Sequence, residues 1–294
     1  MTDDEKAQHK KEFNELTALF ISFLKNINTD DRDEAEYALM ALRADLLVSH
    51  AFDGFQMDEI DALQLLKNLD DDSLTKEDKE KRDRLVAAVE NLIAFAVCEE
   101  YWVTTKSKDL YKSRKEEDED YDIDYNDPDD IDDYNSINGL YNDTYAAVEN
   151  ADVAYAMGIA RWWLGMGADQ LLTYWTMNDA KVRPWHMALQ GYTAKRDEFP
   201  AWMIPPIEWN CRCFLISSDS ADEVWNKASN LRKVMDKAPK KPKQIDGVFS
   251  ESVAKCGRIF SSSHSYFSVK AEDKEFLQSC VERIKSKYYG KGKK

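Results

Sequence analysis

The sequence predicts an α+β protein that is mostly helical: an N-terminal helical bundle, then a smaller loop-rich α+β module with a short C-terminal hairpin. Three observations lead there. Apolar residues recur at three- and four-residue steps through the first hundred positions, where no proline occurs and Gly54 is the only glycine before Gly139. Four prolines, Pro184, Pro200, Pro205 and Pro206, crowd one later segment. Near the C-terminus, "GRIFSSSHSYFSV" alternates in the manner of a strand pair.

The first helix is expected in "EFNELTALFISFLKNI", where Phe13, Leu16, Leu19, Phe20 and Phe23 form one face. Thr29, Asp30 and Asp31 offer a stop and a new cap before "AEYALMALRADLLVSHAF". A third helix, "MDEIDALQLLKNL", closes at Asp70–Ser73. A long fourth helix runs from Lys76 to about Tyr111, and its segment "LVAAVENLIAFAVCEEYW" is apolar enough to be buried. These elements make up an expected N-terminal domain, 1–112.

The composition then changes. "EEDEDYDIDYNDPDDIDD" has no basic residue, so 113–137 reads as a solvated acidic loop with no surface to bury. Alternating Asp118, Asp120, Asp122 and Asp124 resemble a calcium loop, but the required glycine and closing glutamate are missing. Helix is expected again from about Asn138 through Trp175. A compact segment to about Ser218 and a helix from Ala221 to Asp236 complete a core at 138–236. "APKKPK" marks a basic linker, 237–246. The last segment, 247–294, holds the hairpin, a final helix and the basic tail "KSKYYGKGKK".

The bulk numbers exclude several classes. A 43% hydrophobic content supports a folded core, and a net charge of -16 opposes general coating of nucleic acid. Only the tail from Lys285 to Lys294 is a candidate for DNA contact. Five irregularly spaced cysteines fit reduced thiols rather than a disulfide framework. The charged N-terminus does not read as a signal peptide. Glu90, Asn91 and Arg161 interrupt the apolar stretches, so no membrane span and a soluble protein are expected.

The chemistry-bearing residues lie between Trp175 and Cys213. Asp179, Arg183 and His186 have the spacing to line one face of a short helix, with Pro184 in its first turn. Gly191 allows a reversal, and Pro205 and Pro206 hold an extended entry to "EWNCRC". In that extended segment Cys211 and Cys213 share one side and Arg212 takes the other. The thiols therefore either pack in a buried, hydrogen-bonded core or share a zinc ion with His186 and His264. No second closely spaced pair is present, so the sequence favours the metal-free form and no cofactor. A Cys–His nucleophile pair lacks any protease signature. Trp162, Trp163, Trp175, Trp185, Trp202 and Trp209 read as the core of a loop-rich module or an interface.

The ordered string Trp175, Asp179, Val182, Arg183, His186, Leu189, Gly191, Trp202, Pro205, Pro206, Asn210, Cys211, Arg212 and Cys213 resembles the Mu F-like minor head proteins of tailed phages. Phe260, His264, Tyr266 and Phe267 resemble the same family's C-terminal element. The likeness covers about Tyr145 to Val269. Glu208–Trp209 stands where many relatives carry a histidine, and Ser265 where a proline is usual. The resemblance implies a structural, non-enzymatic protein of the virion, present in the host cytoplasm during assembly. It implies association with the portal and with capsid or scaffold proteins, and a part in DNA packaging or exit. The alternative it leaves is a Mu F-related toxin or enzyme with a site around His186, Cys211 and Cys213, although no separate toxin module is evident.

Overall fold

The computed structural model describes residues 2–67, 74–218, 247–249 and 251–289. The expected helix at 221–236, the linker and the last residues of the basic tail lie outside the described residues. The helices are α1 (Asp3–Lys25), α2 (Arg32–Gly54), α3 (Glu59–Lys67), α4 (Lys76–Glu117), α5 (Pro128–Asn138) and α6 (Ala146–Leu164). A π-helical segment, Gly139–Tyr145, joins α5 to α6. Three strands follow, β1 (Leu171–Trp175), β2 (Thr193–Lys195) and β3 (Phe214–Ser218), with the short helix α7 (Pro184–Met187) between β1 and β2. A 16-residue C-terminal helix spans Lys274–Tyr289. Among the described residues no helix is long and apolar enough to cross a membrane.

The fold class expected from sequence is the one observed, with three local corrections. Helix α6 stops at Leu164, and Leu171–Trp175 is a strand rather than a continued helix. Gly165 and Gly167 interrupt the helical run, and "LLTYW" carries the aromatic and β-branched residues that fit a pleated surface. The C-terminal hairpin is absent: 257–270 is a series of turns with one 3₁₀ segment at Ser265–Phe267. Its serines bond locally instead of pairing across strands, with the Ser263 and His264 N–H groups reaching back to Ser261. The acidic stretch is not a solvated loop. Helix α4 runs into it as far as Glu117, Asp127 caps α5, and Ile123 and Tyr134 are buried. Arg114, just before the run, binds Asp130 and, at 2.7 Å, Asp133. Interleaved Tyr121, Ile123, Tyr125, Ile131 and Tyr134 supply the apolar face that the charge density conceals.

The chain divides into two compact units, 1–50 with 90–151 and 265–294, and 51–89 with 152–264. This grouping differs from the linear division expected from composition. The reason is that α2, α4 and α6 are long enough to give residues to both units.

The first unit packs Leu16, Phe20, Phe23, Leu39 and Val103 in its core. Its α1 begins with a capping box in which Thr2 and Glu5 satisfy each other's backbone N–H groups. Buried within it is Arg43, at 0% exposure. Its guanidinium donates to Glu99 at 2.7 Å, to Asn150 at 2.8 Å and to Glu149. Glu100 is fully buried alongside and accepts from Asn142 at 3.3 Å. Burial and the neighbouring Glu99 push the Glu100 carboxyl well above the usual carboxylate range, and Glu149 moves the same way for the same causes. Tyr266 belongs to this unit, where its ring lies 5.2 Å from that of Phe95 and its carbonyl accepts from the Trp102 indole at 3.1 Å.

The second unit surrounds an antiparallel sheet of order β2-β1-β3. Leu172 pairs with Ala194 on one side, and Trp175 with Phe214 on the other. The last pair matters for the site. It brings the chain leaving β1 beside the chain entering β3, although they are far apart in sequence. Beneath the sheet, Trp163, Leu172, Tyr174, Phe199, Met203 and Ile204 form the core. Helix α6 crosses the end of α2 so closely that a Cβ on Gly54 would stand 2.1 Å from the Ala154 carbonyl oxygen. Arg161 caps the chain there by donating to the Phe55 carbonyl at 3.1 Å.

Candidate functional site: a buried histidine and two thiols

The segment leaving β1 turns at Thr176–Asn178, where the Asn178 N–H donates to Thr176 Oγ1 and Asn178 takes a positive φ of 54°. Arg183 is the N-cap of α7, with Pro184 in the first turn. That helix is one turn long. Asp179 lies outside it, so Asp179, Arg183 and His186 do not share a helix face. Asp179 instead binds Arg212 through two bonds of 2.7 and 2.8 Å at the surface. Arg183 pairs with Glu208 at 2.8 Å and donates to the Trp209 carbonyl at 2.8 Å. The expected Asp179–Arg183 pair is thus replaced by two arginine bridges, each tying the β1–α7 loop to the chain that enters β3. Gly191, at φ 89°, makes the reversal into β2.

The opposite wall is "PPIEWNCRC". Pro205 and Pro206 are buried and joined by a cis bond. Asn210 adopts φ 56°, a left-handed conformation that asparagine tolerates better than most residues. Its N–H donates to Asp152 Oδ2 at 2.8 Å, and the Cys211 N–H closes a turn onto the Glu208 carbonyl at 3.1 Å. The Cys213 carbonyl accepts from the Tyr155 hydroxyl. Helix α6 therefore pins the Cys-x-Cys segment from below through Asp152 and Tyr155. Burial pushes the Asp152 carboxyl up to about 7, against the lowering effect of the Asn210 N–H.

These restraints place three side chains together. His186 Nδ1 lies 3.4 Å from Cys213 Sγ and 3.9 Å from Cys211 Sγ. All three residues are buried, and their ligand atoms lie within 4.8 Å of one another. On the far side of the ring, His186 Nε2 is 3.2 Å from Glu208 Oε2. A carboxylate can only accept, so Nε2–H donates to Glu208, and Nδ1 is the ring nitrogen that faces the sulfurs. Trp185 packs edge-on against the imidazole with ring centroids 4.1 Å apart. The thiols are unequal. A hydrogen bond from Cys211 holds Cys213 below the usual thiol range, and the same bond, with burial, pushes Cys211 up. Both cysteines are free thiols, as are Cys98, Cys256 and Cys280.

His264 does not join the cluster. Its ring stands 6.0 Å from that of Trp209 and 6.4 Å from that of Phe260, in an aromatic group that also includes Phe249. Trp202 packs against the core of the second unit. Trp175 ends β1 as the partner of Phe214. Four residues that complete the site were not singled out from sequence: Asp152, Tyr155, Tyr174 and Glu208. For Glu208 the signal was present, since it stands two residues after the prolines, but it read as a departure from the family pattern. Asp152 and Tyr155 sit in an ordinary helical stretch, and nothing local marks them.

Residues 139–216 match the family model described as Phage Mu protein F like protein. No curated protein and no solved structure matches the chain. Every residue of the His186–Cys211–Cys213 site and of its Asp152, Tyr155 and Glu208 supports falls within the matched segment. The chain therefore carries a phage Mu F-like region from residue 139 to residue 216, and the buried site is part of it.

Proposed function

We propose that the protein is a minor head protein of a tailed phage or prophage, bound to the portal and acting in head morphogenesis and in DNA packaging or exit. The observation that carries this reading is the family match over 139–216, the stretch that holds the whole arginine-bridged site. The role is structural rather than enzymatic. His186 and both thiols are buried, and the polar groups around them are occupied in fixing one loop to another. The partners are the portal protein and capsid or scaffold proteins, met mainly through the helical N-terminal half. Ile60 on α3, 70% exposed, is a large apolar side chain available for such a contact. Location in the virion, and in the host cytoplasm during assembly, follows from this role.

The C-terminal tail is the segment offered for DNA contact. In the described part of the tail, Lys285 pairs with Glu90 at 3.4 Å and Lys287 with Asp45 at 3.1 Å. Co-expression of the full chain with the portal protein of the same genome tests the proposal. Co-elution of the two on size exclusion is expected, with Ile60→Asp weakening it while the chain stays folded. Separate elution of the two wild-type proteins contradicts the portal assignment.

A further inference from the structure

The histidine and the two thiols converge in a geometry that matches a metal centre. A tetrahedral zinc with bonds of about 2.3 Å to sulfur and 2.0–2.1 Å to nitrogen separates its sulfur and nitrogen ligands by about 3.6 Å, and two sulfurs by about 3.8 Å. The observed Nδ1–Sγ separations of 3.4 and 3.9 Å bracket the first figure. The whole set fits within 4.8 Å. We propose that His186 Nδ1, Cys211 Sγ and Cys213 Sγ bind one zinc ion, with a water as the fourth ligand.

Three further features fit this assignment. Glu208 accepts from Nε2, the carboxylate–histidine arrangement that fixes the tautomer and orientation of a metal-bound imidazole. The Tyr174 hydroxyl is buried beside Cys213 and makes no other hydrogen bond among the described residues, which leaves it to donate to a zinc-bound thiolate. A crevice of about 10 Å³, lined by Lys181, Val182, Arg183, Asn210 and Arg212, reaches the cluster and has room for about one water. Two thiolates and one imidazole select zinc over magnesium or calcium. Held there, the ion adds a clip between α7 and the chain entering β3, beside the two arginine bridges, the Arg183–Trp209 bond and the His186–Glu208 bond.

The test is metal analysis of the full chain produced with zinc supplied, followed by exchange with cobalt(II). About one zinc per chain is expected, and cobalt should show the intense visible bands of a tetrahedral site together with thiolate charge transfer. The double variant C211S/C213S should lose both signals, whereas C98S/C256S should keep them. Glu208→Gln should retain the stoichiometry and weaken affinity about 10- to 100-fold. Folded wild-type protein that takes up no zinc, or cobalt uptake without thiolate charge transfer, overturns the proposal. Full zinc retention in C211S/C213S overturns it too. Should that variant fail to fold, the wild-type cobalt spectrum alone decides.

Discussion

Arg43→Ala tests how the first unit tolerates so much buried negative charge. The side chain is fully enclosed and its guanidinium serves Glu99, Asn150 and Glu149 at once, with Glu100 nearby. Removing it leaves a buried carboxylate without a counter-charge, a change that costs about 3–5 kcal/mol. The same figure follows from proton uptake. Neutralising one carboxyl of ordinary acidity, near 4.3, costs about 1.4 kcal/mol per pH unit above that value, or close to 4 kcal/mol at pH 7. The penalty should therefore shrink by about 2.7 kcal/mol between pH 7 and pH 5, because the proton becomes easier to obtain. Urea unfolding of wild type and variant at both pH values measures this directly. A cost below about 1 kcal/mol at pH 7 would refute the reasoning, since the typical buried-pair penalty is several times larger. A large cost that did not change with pH would point to the cavity left by the side chain rather than to charge.

Three further outcomes are expected. The Glu100 carboxyl is raised in the folded protein by burial and by Glu99, so its contribution is complete below about pH 4.5 and is lost as pH rises above that value; Glu100→Gln should flatten the fall of wild-type stability between about pH 5 and pH 8, by up to about 1.4 kcal/mol per pH unit, and an unchanged slope in urea titrations counts against the assignment. Gly54→Ala would set a methyl 2.1 Å from a backbone oxygen of α6, which cannot rotate away, so a loss of about 1–3 kcal/mol or more is expected by calorimetry; a neutral effect would mean that α2 and α6 do not approach as described. Ile123→Ala, inside the acidic run, should cost about 2–4 kcal/mol because Ile123 is buried against the α1 core, whereas Asp122→Ala at the exposed neighbouring position should stay within about 0.5 kcal/mol.

What the sequence carried and what it withheld divide along physical lines. Helical periodicity found α1 to α3, and an apolar run buried on most sides found α4; the first-unit core residues Leu16, Phe20 and Phe23 come from the periodic pattern. Local signals also found the Cys211–Cys213 side and its approach to His186, since an extended Cys-x-Cys can present only one face. The pairing of charges was not legible. Asp179 and Arg183 have helix spacing, but the helix starts only at Pro184, five residues after Asp179, and the two groups find partners 33 and 25 positions away, in Arg212 and Glu208. The role of Asp152 depends on a positive φ at Asn210 and on a helix brought from elsewhere in the chain, and neither leaves a mark in its neighbours. In the acidic run, charge density hid the hydrophobic spacing of Tyr121, Ile123, Ile131 and Tyr134, because Arg114 lies just outside it. The supposed C-terminal hairpin failed for the converse reason: its alternation came from serines, which prefer local turns.

The proposed function places this chain, which carries a Mu F-like region at 139–216, in a phage head. Quantitative mass spectrometry of purified heads and procapsids, from the phage or induced prophage that encodes the chain, tests it most directly. The account predicts the chain in both particles, at an abundance far below that of the major capsid protein. Its absence from procapsids and mature heads alike, with the chain present in the lysate, would contradict the account.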